Sequence, residues 1–411
     1  MTDEPAATAA DVLSIPASAA ARLVVIGLGQ AGARFIRAAL AVQAKAPGVA
    51  VVAAVDVDAD RRAEFARLSI PCFATIAEAA ALSPDVAIVT VPEVGHFGAL
   101  SEVARALPGV RRVLCEKPLT TSAADAWALA DLFRDEEISI NFVERFSPLI
   151  DDVLAFMAEH ERVVARAQCW WGKYRVKDVR PTPGVISVEF AHPLDLIMML
   201  GDVEPGAPYA LGPAIAMRSD FDVGGDGSLP LDTVHALITF GEFQVSISSS
   251  LLWSGRERRI ELLLADATGV ASEIVTLTFD DPIWDLDRME IHDVRAVGGR
   301  PTRLLKRELS RADWPEELLT IGKVCRFLEA NLLELEGARC ARLPRLSQGV
   351  YVQDVLDAIT AAADGAAVSQ RVFAPPRVRG GADIRGQVDF LAGLAAQSPA
   401  AADTFCWDNP Y

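Results

Sequence analysis

Short apolar runs alternate with helix-length amphipathic stretches through the first third of this chain. The runs lie near 22–26, 50–56, 71–73, 85–91, 111–115 and 138–143, and they read as strands. Between the first two, Ala33-Arg34-Phe35-Ile36-Arg37-Ala38-Ala39-Leu40 places apolar residues at helical spacing. Strands this apolar, with helices between them, predict a parallel doubly wound sheet covered on both faces. Ser147-Pro148 breaks the alternation. A helix near 149–160 and a strand through Val163–Gln168 are expected next. From about 205 to 280 the chain is richer in strand signals, as in His235–Phe240 and Phe243–Ser249, which predicts antiparallel strands of a second sheet with one face packed on helices. Helical spacing returns near 314–336 and 347–363, and Ala374-Pro375-Pro376-Arg377 followed by Gly380-Gly381 ends the compact part.

The expected class is therefore α/β: a doubly wound domain over 21–146, then an α+β domain with a mainly antiparallel open sheet over 147–375. Residues 1–20 read as a leader and 376–411 as a tail, and the late helices are free to pack back on the first domain. A chain of 411 residues suits two domains, and no run of about 18 uninterrupted apolar residues predicts a membrane span. The net charge of −17 opposes nucleic acid, whose phosphates most of this surface would repel. The start of the chain lacks a basic segment followed by an apolar core, so a cytoplasmic location is expected. Six cysteines are scattered without a C-x-x-C pair, and five histidines show no ligand spacing; free thiols and no metal are expected.

Two motifs carry the chemistry. Arg22–Ile26 runs straight into Gly27-Leu28-Gly29-Gln30-Ala31-Gly32, which opens a helix. This is G-x-G-x-x-G in its meaningful context, strand before and helix after. Gly27 permits the tight turn, Gly29 lets backbone approach a pyrophosphate, and Gly32 lets helix and strand pack closely. The second strand ends in Asp56, where a carboxylate can accept hydrogen bonds from ribose hydroxyls. A nicotinamide dinucleotide is the expected cofactor, on a Rossmann domain. Asp56 leans the choice toward NAD, because a carboxylate repels a 2′-phosphate. Arg61 and Arg62 stand just beyond it, and either could pair with that phosphate in NADP. The second motif is Glu116-Lys117-Pro118, directly after Arg112–Cys115. It sets a lysine at the carboxyl edge of the sheet, where open α/β folds bind ligands, and the proline stiffens the turn. A lysine partly removed from water there can serve as acid or base near neutral pH.

The glycine motif, Asp56, the Thr90-Val91-Pro92 segment with His96, and Glu116-Lys117-Pro118-Leu119 together resemble the glucose–fructose oxidoreductase / inositol dehydrogenase family of NAD(P)-dependent oxidoreductases. The resemblance continues at Asn141–Phe146 with its Arg145, at His192-Pro193-Leu194-Asp195, and at Leu346–Val350. It implies that Thr90, Val91, Pro92, His96 and Glu116 border the cofactor. It implies that Lys117 and His192 act as acid and base on an alcohol or ketone, and that Arg145 lies near the substrate. Members of the family often place an aspartate four residues before that histidine. Here the position is Val188, and Glu189 follows it. Either Glu189 takes over the carboxylate's role from a shifted backbone, or Lys117 and His192 act without one.

The stretch Trp170–Arg180 sets four positive charges beside two tryptophans and a tyrosine in an acidic chain. Trp171 and Tyr174 can stack on sugar rings, and Lys173 and Arg175 can pair with a carboxylate or phosphate. A sugar-like substrate, anionic forms included (phosphate, carboxylate or nucleotide-linked), is the expectation; a solvated loop balancing acidic neighbours is the alternative. The functional expectation is hydride transfer between nicotinamide and a carbinol or ketone carbon. Reduction of an imine or another unsaturated substrate, and a non-catalytic dinucleotide sensor like the galactose-regulon co-repressor, stay open. The resemblance also implies a homodimer or homotetramer.

Overall fold

The computed structural model describes residues 15–175, 184–220, 229–295, 300–370, 386, 388, 389, 391 and 392. These fall into two compact units. The first holds 15–146, 310–350 and the described residues beyond 380; the second holds 147–309 and 351–370.

In the first unit, β1 (Ala20–Ile26), β2 (Gly48–Val55), β3 (Cys72–Phe73), β4 (Val86–Val89), β5 (Arg112–Cys115) and β6 (Ile138–Ile140) form one parallel sheet in the order 3-2-1-4-5-6. Strands β4 and β5 are buried from end to end, as runs covered on both faces must be. Helices α1 (Gln30–Lys45), α2 (Ala59–Ala66), α3 (Ile76–Ala79), α4 (His96–Ala106) and α5 (Ala123–Ala130) connect them. Strand order reverses between β1 and β4, and a crevice at the carboxyl ends of those strands is where such sheets take ligands.

A later helix, Gly322–Leu335, covers α1, with Phe327 edge-on to Phe35 at 6.3 Å and to Phe146 at 5.4 Å. Inside this layer Lys323 Nζ meets Glu144 Oε2 at 2.5 Å, and both side chains are fully enclosed. Helical spacing predicted an element over 314–336, but Pro315 and the left-handed Thr320 (φ 69°) restrict the helix to its second half. Val388 and Leu391 are buried in the core of this unit, so the chain beyond 376 contributes packing there.

In the second unit, α6 (Pro148–Glu159) precedes β7 (Val163–Tyr174), and a π-helical turn at Ile186–Phe190 leads into α7 (Ala191–Leu200). Strands β8 (Tyr209–Leu211), β9 (Ile215–Ser219), β10 (Leu231–Phe240), β11 (Phe243–Ser250), β12 (Leu252–Ala265), β13 (Ala271–Thr278), β14 (Arg288–Asp293), β15 (Thr302–Glu308) and β16 (Ala367–Gln370) follow. They join β7 in a ten-stranded sheet ordered 15-14-13-12-7-11-10-9-16, with β8 beside β10. The β7–β11 and β9–β16 pairs are parallel and the others antiparallel. In β12, Ile260, Leu262 and Leu264 are buried while Arg259, Glu261 and Leu263 are partly exposed, the period of two that a one-sided sheet requires. The antiparallel region extends beyond the expected 280, to Glu308. Strand β15 escaped notice because exposed and charged residues such as Arg303, Lys306 and Arg307 leave it almost no apolar alternation.

Candidate functional site

The candidate site of the first unit is made mostly of backbone. Gly27 has φ 98°, and a Cβ there would stand 2.7 Å from Val91 N, so only glycine fits. At Gly32 a Cβ would fall 2.0 Å from Gly27 O, which is the close helix–strand approach the spacing predicted. Gly29 is different: the nearest atom to a Cβ there is Arg61 Nη1, at 3.8 Å. The protein leaves that position open, as a pyrophosphate would require. Gly29 also begins α1 and brings no side-chain cap, whereas Asp58, Thr75 and Ser122 cap α2, α3 and α5. The first amides of α1, in the Gln30-Ala31-Gly32 turn, therefore carry no side-chain cap, as an anion-binding helix N-terminus requires. These residues fit a dinucleotide.

Asp56 directly follows β2 and is buried. Its Oδ2 accepts from Leu28 N–H at 2.7 Å and its Oδ1 from Asp58 N–H at 2.8 Å. The carboxylate therefore fixes the glycine loop to the next turn, with lone pairs remaining for hydroxyl donors. Arg62 donates to the carbonyls of Asp56 and Val57, at 2.7 and 2.9 Å. Arg61 is half-exposed, with Nη1 3.7 Å from Asp56 and Nε 3.6 Å from Asp58. Of the two arginines, it is Arg61 that leans over the glycine loop.

Thr90 Oγ1 donates to Gly27 O at 2.7 Å and lies 3.0 Å from Ile26 O, latching the segment after β4 to the loop. Val91 and Pro92 continue that segment. His96 opens α4 and is buried, with Nδ1 2.7 Å from Pro118 O and Nε2 3.0 Å from Val91 O. Burial pulls its pKa below the ordinary imidazole value, against the opposing pull of those carbonyls and of Glu116 and Glu93. Its ring nitrogens face backbone, so it shapes the site through Val91 and Pro118. Lys117 is half-buried at the end of β5, and its peptide with Pro118 is cis. Glu116 Oε1 accepts from Asn141 Nδ2 at 2.8 Å, tying this turn to the end of β6. Arg145 is buried, with Nη1 3.3 Å from Arg342 O and 3.5 Å from Gln348 Oε1.

A second group of candidate residues lies in the second unit, on the helix-covered face of its sheet. Trp171 and Lys173 point to the same face of β7, and Arg258 of β12 pairs in register with Trp171. Lys173 Nζ meets the buried Glu189 Oε1 at 2.8 Å; Glu189 projects from the π-helical turn. Burial lowers the Lys173 ammonium to about 8, with repulsion from Arg175 and Arg258 outweighed in part by Glu189. Arg175 is buried, its N–H donating to Leu251 O at 2.7 Å. Trp171 is fully enclosed: Arg258 lies 5.2 Å from its ring centre, Phe279 5.6 Å and His192 6.4 Å. Its faces are thus taken by protein, and its contribution is to pack Arg258 and His192. His192 is buried in the first turn of α7. Tyr174 is exposed on the opposite face of β7 from Lys173, so the structure does not bring those two together. Residues 176–180 of the basic stretch lie outside the described residues.

Sequence reading missed Arg258, Asp280 and Trp284. Arg258 pairs with the buried Asp280 and also lies 5.4 Å from the Trp284 ring centre. A signal existed: Arg258 occupies the parity of Ile260, Leu262 and Leu264, where a charge must be buried and paired. Among the described residues, no cluster of side chains could hold a metal and no helix is long and apolar enough to cross a membrane.

Residues 21–142 match the oxidoreductase family with NAD-binding Rossmann fold, GFO_IDH_MocA. Over 148 residues the chain is 32% identical to the inositol 2-dehydrogenase of Arthrobacter sp. (strain FB24); that stretch is 34% of this chain and 42% of that enzyme. Among solved structures, UDP-N-acetylglucosamine 3-dehydrogenase GnnA from Acidithiobacillus ferrooxidans aligns with a TM-score of 0.64 at 18% identity, over 84% of this chain and 98% of its own. The 3-ketoreductase KijD10 from Actinomadura kijaniata, in complex with NADP and TDP-benzene, aligns with a TM-score of 0.61 at 17% identity, over 86% and 100%. At these identities the structural matches establish the fold.

Proposed function

We propose, because residues 21–142 match the GFO_IDH_MocA oxidoreductase family with its NAD-binding Rossmann fold, that this chain is an NAD(P)-dependent oxidoreductase acting on a carbinol or ketone carbon of a sugar-derived substrate. The observation that carries this reading is the company Lys117 keeps: a lysine at the end of β5, in the same unit as a glycine cradle open at Gly29. When bound, the nicotinamide supplies or accepts the hydride. Gly27, Leu28, Gly29, Gln30, Ala31 and Gly32 hold the pyrophosphate through backbone N–H groups, and Asp56 accepts from ribose hydroxyls. Arg61 is the group offered to a 2′-phosphate, so the choice between NAD and NADP lies between Asp56 and Arg61.

Lys117 gives a proton to the carbonyl oxygen in reduction and takes it from the hydroxyl in oxidation, with His192 as the second acid–base group of this reading. Glu189 works through Lys173: its carboxylate holds that ammonium for a substrate oxygen. The sugar character of the substrate is supported by the relatives, an inositol 2-dehydrogenase, a UDP-N-acetylglucosamine 3-dehydrogenase and a 3-ketoreductase. The anionic part of the reading rests on Lys173, Arg175 and Arg258 lying within one electrostatic neighbourhood. We also read the protein as a homo-oligomer, with exposed Ile215, Leu237 and Val368 on the second sheet needing cover.

The test follows reduced-nicotinamide absorbance with NAD or NADP and a panel including myo-inositol and UDP-N-acetylglucosamine. Turnover of a panel member is expected. Dinucleotide binding without turnover of any member would contradict the enzyme reading and favour a sensor.

A further inference from the structure

We infer that His96 is a positioning residue whose protonation clamps the wall of the dinucleotide cradle, so that proton binding and dinucleotide binding favour one another. The inference rests on the dinucleotide reading of the first unit and goes beyond it. Both ring nitrogens face carbonyl oxygens, Pro118 O at 2.7 Å and Val91 O at 3.0 Å. A neutral imidazole carries one N–H and can donate to only one of them; the other carbonyl then meets a ring lone pair. Only the imidazolium satisfies both. The ring is buried, so water cannot replace the missing donor.

The two carbonyls belong to the segments that matter. Val91 lies against Gly27, whose missing Cβ would stand 2.7 Å from Val91 N, and its neighbour Thr90 hydrogen-bonds to Gly27 O. Pro118 follows Lys117. Protonated His96 therefore ties the wall of the cradle to the turn of the proposed proton carrier. The ionisable groups facing the ring are Glu116, at the end of β5, and Glu93, in the turn before α4; both favour the charged form, and burial opposes it. Burial is the larger effect, so the transition falls on the acid side of the ordinary imidazole value.

Linkage makes the inference exact in sign: if the imidazolium state binds dinucleotide more tightly, bound dinucleotide raises the His96 pKa by the same factor. The test uses the full chain and NADH, because the 2′-phosphate of NADPH itself titrates near pH 6. Fluorescence titration gives the NADH Kd between about pH 5 and about pH 8, and proton NMR of the imidazole Cε1–H gives the His96 pKa with and without NADH, assigned by the signal lost in His96→Gln. Affinity should tighten about tenfold on acidification and the His96 pKa should rise by about one unit on binding, since a tenfold change corresponds to one unit. In His96→Gln the pH dependence should vanish. A Kd that does not change with pH, or a His96 pKa indifferent to NADH, overturns the inference while leaving dinucleotide binding intact. Absence of NADH and NADPH binding at every pH would instead remove the dinucleotide reading, and this inference with it.

Discussion

The two units bury charge for different purposes. In the first, the enclosed pair Lys323–Glu144 lies under the helix Gly322–Leu335, and the ligand-facing part is glycine backbone held by Asp56 and Thr90. In the second, the buried Glu189 and Arg258 and the largely buried Lys173 are themselves the candidate site. Backbone recognition depends on where glycines fall, and serves any dinucleotide. Side-chain recognition depends on which charge reaches an inner face, and can be changed one residue at a time. On the proposed function, that division would suit a common cofactor and a variable substrate.

Substitutions separate the two cases. Glu144→Gln removes the carboxylate facing Lys323, and breaking such a buried pair costs about 3–5 kcal/mol. Chemical denaturation should show that loss, while the protein that remains folded binds dinucleotide normally. A weakened affinity in the folded fraction would mean that this pair is not purely structural. Next in size, Gly29→Val places a branched side chain at the open position and should weaken NADH and NADPH at least about a hundredfold, near 2.7 kcal/mol. Unchanged affinity by calorimetry would remove the cradle assignment.

Asp56→Ala should weaken NAD more than NADP by about tenfold, or about 1.4 kcal/mol. A wild type that already prefers NADP by that margin would point to Arg61 instead. The smallest effect is a shift in pH. Burial lowers the Lys173 ammonium to about 8, so the proposed hold on a substrate oxygen should be present at lower pH and lost as pH rises through that value. Glu189 raises that pKa, and Glu189→Gln should therefore move the loss to lower pH. Competitive acetylation read by mass spectrometry measures Lys173 directly; titration alongside surface lysines would contradict the buried pairing.

The same division explains what was legible in the sequence. Gly27, Gly29, Gly32 and Asp56 announce themselves because each answers a backbone requirement at fixed spacing from a strand end. The doubly wound sheet follows from runs that are apolar throughout. The second unit was readable as an antiparallel sheet, but its site was not. Arg258 looks like one charge among several in Arg256–Arg259 until the parity of β12 turns it inward. Trp171 suggested a stacking surface, and tertiary packing closed both its faces. The position of Glu189 depends on a π-helical turn, which no local spacing signals. His96 was expected beside the cofactor; its burial sends its nitrogens to backbone carbonyls instead.

The central claim is that Lys117 moves a proton while the glycine cradle holds the dinucleotide. Lys117→Ala separates these functions when turnover and NAD(P)H affinity are measured on the same preparation. Turnover of the panel member accepted by the wild type should fall by about 10²–10⁴, the usual worth of a general acid–base group, with dinucleotide affinity nearly unchanged. Near-normal turnover with intact binding would contradict the account.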